Sequence, residues 1–143
     1  MSFDFRYNKA LSTAHLSTAA QFLAAAQRAK DEQHWSVFID TLCSASELIA
    51  KAFLLGTADQ RILKARSHDA VKAQANWHRK LGNLADEHVG SLNRVWDLRN
   101  PARYLDRSLD FSQSESEELL ASLMDFYSFV ERDVSGVEPT STE

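Results

Sequence analysis

At 143 residues and 16.1 kDa the chain is sized for one domain, which at this length buries about two-thirds of the surface its unfolded chain exposes. Its 44% hydrophobic and 25% charged residues are ordinary for a soluble globular protein, while four glycines and two prolines argue against a turn-rich all-β chain. The formal net charge of −4 excludes a global basic footprint for nucleic acid, so any such site must be local.

The opening MSFDFRYNKA lacks the apolar core of an export signal. No run approaches the roughly 18 apolar residues of a membrane span, so a cytoplasmic protein with no membrane partner is expected. The single cysteine, Cys43, lies among helix-patterned apolar residues; it can form no internal disulfide and reads as a small buried hydrophobe in a reducing setting.

Helical periodicity recurs in five places. From about residue 6 to 30, Tyr7, Leu11, Ala14, Phe22, Ala26 and Ala29 fall on one face, with Thr18 filling the gap. The second stretch, HWSVFIDTLCSASELIAKAFLLG, repeats Trp35, Phe38, Ile39, Leu42, Ala45, Ile49, Ala52 and Phe53 at three- and four-residue steps, with Gly56 as a C-cap. Leu48, Leu54 and Leu55 widen its apolar surface, which suits the centre of a bundle. On its polar side Glu47 and Lys51 stand at i, i+4, a surface pair worth about 0.2–0.5 kcal/mol.

The third helix takes Ser67 as N-cap and Val71, Trp77 and Leu81 as anchors, ending at Gly82 and Asn83. The fourth runs from about Asp86 to Asn100 and buries Val89, Leu92, Val95 and Trp96; Asn100 precedes Pro101, which disfavours α geometry there and ends or kinks the helix. The last opens in FSQSESEELL, where Ser112 with Glu115, or Ser114 with Glu117, forms a capping box, and buries Leu119, Leu120, Leu123, Met124, Tyr127 and Val130. These patterns imply an all-α, up-and-down bundle of about five helices over residues 1–134, followed by a disordered polar tail, 135–143.

Glycine-rich phosphate loops, paired cysteines and His-Glu-x-x-His are all absent. None of the five histidines, at 15, 34, 68, 78 and 88, lies three or four residues from another, so no helical metal pair exists and neither metal nor cofactor is expected. The spacing of ten between His68, His78 and His88 has no helical meaning, and these read as mostly surface or half-buried side chains.

LRNPARYLD, residues 98–106, is different in kind. If Pro101 starts a short new turn, Arg99 and Arg103 flank a break where two guanidiniums can clamp a phosphate through bidentate, charge-assisted hydrogen bonds. The competing explanation has Arg99 complementing a helix C-terminus, Arg103 pairing with Asp97 or Asp106, and Tyr104 packing in the core.

The order of a long first helix, SASELIAKAFLLG, SHDAV and a helix ending in LRNPARY resembles the HEPN (higher eukaryotes and prokaryotes nucleotide-binding) family over residues 6 to 130. That resemblance implies a dimerising α-helical bundle with a cleft at the dimer interface. In active members an arginine followed, after four to six intervening residues, by a histidine forms a metal-independent ribonuclease site. Many act as toxins or in phage defence, partnered by nucleotidyltransferase-like antitoxins. Arg99 and Asn100 match the opening of that motif, but the histidine positions hold Tyr104, Leu105 and Asp106. Arg28 to His34 and Arg61 to His68 also fit the spacing; with ten arginines in the chain one such match is expected by chance, and neither ends the fourth helix.

Tyr104 is a poor substitute for imidazole. An unperturbed phenol with a pKa near 10 is ionised in about one molecule in a thousand at pH 7, a deficit of about 4 kcal/mol, and general acid-base catalysis contributes about 10²- to 10⁴-fold. The expected function is therefore binding of RNA or a nucleotide, with ribonuclease activity weak or absent. Arg99 and Arg103 hold phosphate, Asn100 orients the site or meets sugar or base, and Tyr104 stacks or donates a hydrogen bond. The alternatives are an active ribonuclease toxin using Arg99 with Tyr104 or a partner-chain histidine, and a dimerisation or protein-interaction module without catalysis.

Overall fold

A computed structural model describes residues 8–57, 67–104 and 110–136, apart from the side chains at 101, 103 and 104. Among the described residues six helices are formed: α1 (Lys9–Asp31), α2 (Trp35–Leu54), α3 (His68–Lys80), α4 (Asp86–Asp97), the short α5 (Arg99–Tyr104) and α6 (Gln113–Ser135). The all-α bundle expected from the sequence is the observed architecture, with α5 added.

Helix α2 packs against each of the other five. Phe38, Ile39, Leu42, Ala45, Ile49, Ala52 and Phe53 are buried as its periodicity implies, and Leu54 and Leu55 join them. Cys43 is buried too, and its thiol donates to the Val95 carbonyl (3.1 Å). Gly56 is not a left-handed cap, since only Gly82 and Gly136 among the described glycines have positive φ. The end of α2 is instead sealed by α1. The Gly56 amide bonds Phe53, leaving the Ala52 carbonyl to the buried Ser12 hydroxyl (2.8 Å), so an orphan carbonyl of the last turn is satisfied from a neighbouring helix.

That contact rotates α1 away from the expected stripe. Its buried positions are Ser12, Leu16, Ala19, Leu23, Ala26 and Ala29, whereas Leu11 is 43% exposed and Ala14 and Thr18 face out; Tyr7 lies outside the described residues. A serine can occupy the seam because its hydroxyl finds an acceptor there.

Three further anchors are corrected. Trp77 and Leu81 are 49% and 53% exposed, and α3 buries Val71, Ala75 and His78 instead. Met124 is 51% exposed, while Phe126 fills the α6 seam. His78 and His88 are buried rather than superficial: His78 meets Asn83 (3.0 Å), and His88 stacks on Phe126 at 5.3 Å. Of the two candidate capping boxes, Ser112 and Glu115 form theirs, at 3.0 and 2.9 Å. Ser135 closes α6, which ends at Gly136 with φ 76°; the rest of the tail, 137–143, lies outside the described residues.

Candidate functional site

Pro101 decides where the fourth helix stops. In an uninterrupted helix the amide of residue 101 would bond the carbonyl of Asp97, and proline has no amide to give. The ladder accordingly breaks at Asp97, three residues before the expected end, and resumes as α5 with Pro101 in the first turn, where a missing donor costs nothing. Arg99 opens this second segment, and the Ala102 amide bonds Leu98 across the break (3.1 Å).

Two polar links fix α4 against its neighbours and so aim Arg99. Asn76 and Asn93 exchange amide hydrogen bonds between α3 and α4 (3.3 and 3.2 Å). Trp96 donates its indole N–H to Ser46 of α2 (3.1 Å), and that hydroxyl in turn donates to Cys43 (2.8 Å). With Trp96 pinned, the Arg99 guanidinium lies 5.4 Å from its ring centroid in a cation–π contact.

The first residue of α3 completes the arrangement. Ser67 caps the helix by accepting from Ala70 (3.2 Å), and His68 follows with its ring 4.4 Å from that of Trp96. Arg99 Nη2 lies 3.4 Å from His68 Nε2, and the Glu47 carboxylate of α2 meets His68 Nδ1. A guanidinium can only donate, so in this contact Nε2 is the acceptor, while Nδ1 lies on the Glu47 side of the ring. Glu47 is thus not merely one half of a surface pair with Lys51. Its side chain is 25% accessible and lies against a histidine that is 42% accessible.

These residues line an open cleft of about 500 Å³ shared by Ser67, His68, Asp69, Lys72, Trp96, Arg99 and Asn100. Lys72 and Arg99 bring two cations, opposed by Asp69, and the positive end of the α3 dipole opens on the same space. Arg99 is half-buried and Asn100 exposed, so both expected residues reach one site; the side chains of Arg103 and Tyr104 lie outside the described residues. Among the described residues no group of three or more histidine, cysteine or acidic side chains could hold a metal. No helix among them is long and apolar enough to cross a membrane.

Comparison with known families decides the relationship. A family model of the HEPN domain matches residues 12–133. The chain belongs to the HEPN domain family. A comparison with curated proteins found no match. The HEPN domain is an all-α fold associated with nucleotide or RNA binding.

Within this HEPN domain, sequence reasoning missed His68 and Glu47. The Arg61–His68 spacing is one that chance alone supplies, yet its histidine is the one that meets Arg99, 31 residues further on. Only the SHDAV and SASELIAKAFLLG segments, both part of the ordered resemblance, carried a signal for the pair.

Proposed function

We propose that this HEPN protein binds RNA or a nucleotide in the cleft between α3 and the α4–α5 break. Arg99 holds a phosphate there, Lys72 adds charge, and Asn100 meets the sugar or base. Arg103 and Tyr104, one turn further along α5, contribute a second guanidinium and a stacking ring. The observation that carries this assignment is the state of Arg99: half-buried, set on an indole face, and held, among the described residues, by a long 3.4 Å hydrogen bond to His68 rather than by a carboxylate. A phosphate oxygen offers that guanidinium a shorter, charge-assisted partner.

Fluorescence anisotropy with a labelled single-stranded RNA tests it. Arg99→Ala is expected to weaken binding by about 10- to 100-fold, the loss of one hydrogen bond to a charged group, and affinity should fall with rising salt. Affinity unchanged by Arg99→Ala would refute the assignment.

A working ribonuclease is the second reading, and the His68 contact favours it. Positions 104–106 carry no imidazole, which argues for weak activity, but Arg99 has one at 3.4 Å from another helix. We place the protein as a homodimer in a toxin–antitoxin or phage-defence setting with a nucleotidyltransferase-like antitoxin. Light scattering tests the dimer. Growth arrest on induction in a bacterial host, relieved by such an antitoxin, tests the setting.

A further inference from the structure

We propose that a second pocket, where the end of α1, the start of α2 and the start of α6 meet, takes one base of the RNA strand whose phosphate lies on Arg99. The ligand is then a single-stranded oligonucleotide long enough to reach both sites, not a free nucleotide. This rests on the binding assignment above and adds the length and strandedness of what is bound.

The pocket encloses about 220 Å³ between Lys30, Asp31, Gln33, Trp35, Phe111 and Gln113. Sites for drug-sized ligands run to about 300–1,000 Å³, so this one suits a single flat heterocycle. Its walls are aromatic: Trp35 meets Phe38 at 5.8 Å and Phe111 at 5.5 Å, and those two rings meet at 6.1 Å, every pair edge-to-face. None of these pairs is a parallel stack, and Trp35 and Phe111 are half-buried, so a base can stack where no ring does. The rim carries the Gln33 and Gln113 carboxamides, groups that pair with a base edge as donor and acceptor together. Gln113 spends one amide hydrogen on Glu117 (3.0 Å) and keeps the other. The Lys30 amine lies 3.4 Å from the Asp31 carboxylate, so their charges offset each other, whereas the Arg99 cleft sets two cations against Asp69. The cleft therefore favours a phosphate and this pocket a neutral base.

Helix α2 sets the distance between the two sites. Positions 35, 39, 42 and 46 fall on one stripe of it, at steps of four, three and four residues. Trp35 walls the pocket at one end of that stripe; at the other, Ser46 accepts the indole N–H of Trp96, which walls the Arg99 cleft. Three turns of helix separate them, about 16 Å. Stacked nucleotides advance about 3.4 Å each, so about five span the gap, and fewer when the strand is extended. A base held in a pocket has left its pairing partner, so single strands are taken and duplexes are not.

The test uses the full chain and labelled 2′-O-methyl RNA, which resists cleavage, in lengths of two, four, six and eight nucleotides, with an eight-base-pair duplex beside them. Anisotropy should show affinity rising to the hexamer and then levelling, with the octamer bound at least about tenfold more tightly than the dimer and than the duplex. Trp35→Ala should weaken octamer binding by about 5- to 100-fold, the loss of one stacked base, and leave dimer binding unchanged. Gln33→Gly removes a rim carboxamide without straining the chain, because Gln33 sits at φ 59°, where glycine is at ease. It too should weaken the octamer and spare the dimer. Thermal melts report whether each variant is folded. Affinity independent of length, a duplex bound as well as the octamer, or dimer and octamer weakened equally by Trp35→Ala would overturn the second site and leave the Arg99 assignment standing. So would octamer binding untouched by Trp35→Ala, or by Gln33→Gly if the first variant does not fold. Absence of Arg99-dependent binding at every length would remove both.

Discussion

Replacing His88 with phenylalanine should remove a pH-dependent weakness from the core. His88 is buried on α4 against two aromatic rings, Phe126 at 5.3 Å and Phe129 at 5.0 Å, and its Nδ1 has no hydrogen-bond partner among the described residues. Burial lowers its pKa from the ordinary 6.5, against the opposing pull of Glu87 and Asp125. Below that ordinary value the unfolded chain takes up a proton that the folded chain excludes. Stability is therefore fully present above the unfolded pKa and is lost as pH falls toward the lowered one. One proton difference sets the slope at no more than about 1.4 kcal/mol per pH unit, or about 3–5 °C of Tm per unit at this chain length. His88→Phe keeps the ring stack and removes both the titrating group and an unsatisfied buried nitrogen worth about 1–3 kcal/mol. Thermal melts of both proteins at half-unit steps from pH 7.5 to 5 should diverge, with the variant falling less steeply. Parallel curves would refute the reasoning, and so would a steeper fall in the variant.

Other elements make independent predictions. Ser112→Ala opens the α6 capping box and should cost about 1 kcal/mol in urea unfolding; because the Ser112 amide lowers the Glu115 pKa from 4.5, the stabilisation from that carboxylate is present above 4.5 and should disappear as pH falls through the lowered value. Ser12→Ala strips the donor from the Ala52 carbonyl at the end of α2 and should destabilise by about 1–3 kcal/mol, read as a fall in urea midpoint at constant slope. Trp77→Lys should change stability by less than about 0.5 kcal/mol, since this large ring is half-exposed; a loss of several kcal/mol would place it in the core after all.

Where periodicity was dense, the sequence was sufficient. Helix α2 places Phe38, Ile39, Leu42, Ile49, Phe53 and Leu54 on its inward face, large enough that this face has one solution, and Val89, Leu92 and Val95 mark α4 in the same way. Alanine-rich α1 left two stripes nearly equal in hydrophobicity, and the choice between them was made by a hydrogen bond from Ser12 to another helix, which no periodicity reports. Trp77 and Leu81 misled for the opposite reason: size made them look like anchors on α3, whereas close packing there is made by Val71, Ala75 and His78.

The site divided along similar lines. Arg99 and Asn100 were legible because Pro101 marks a break locally, although the break falls at Asp97 because proline withholds the amide that residue would have received. His68 and Glu47 were not, because their partnership joins positions 47, 68 and 99 on three different helix segments. A motif search for a histidine a few residues after Arg99 looks along the chain, while the imidazole arrives through space.

Side-chain NMR on protein labelled with ¹⁵N at histidine and arginine tests the central claim most directly. Titrated with a short single-stranded RNA made uncleavable by 2′-deoxy substitution, the His68 ring nitrogens and the Arg99 guanidinium should shift together and saturate at one affinity. The buried His78 and His88 should stay in place. Saturable RNA binding that moves neither Arg99 nor His68 would contradict the account.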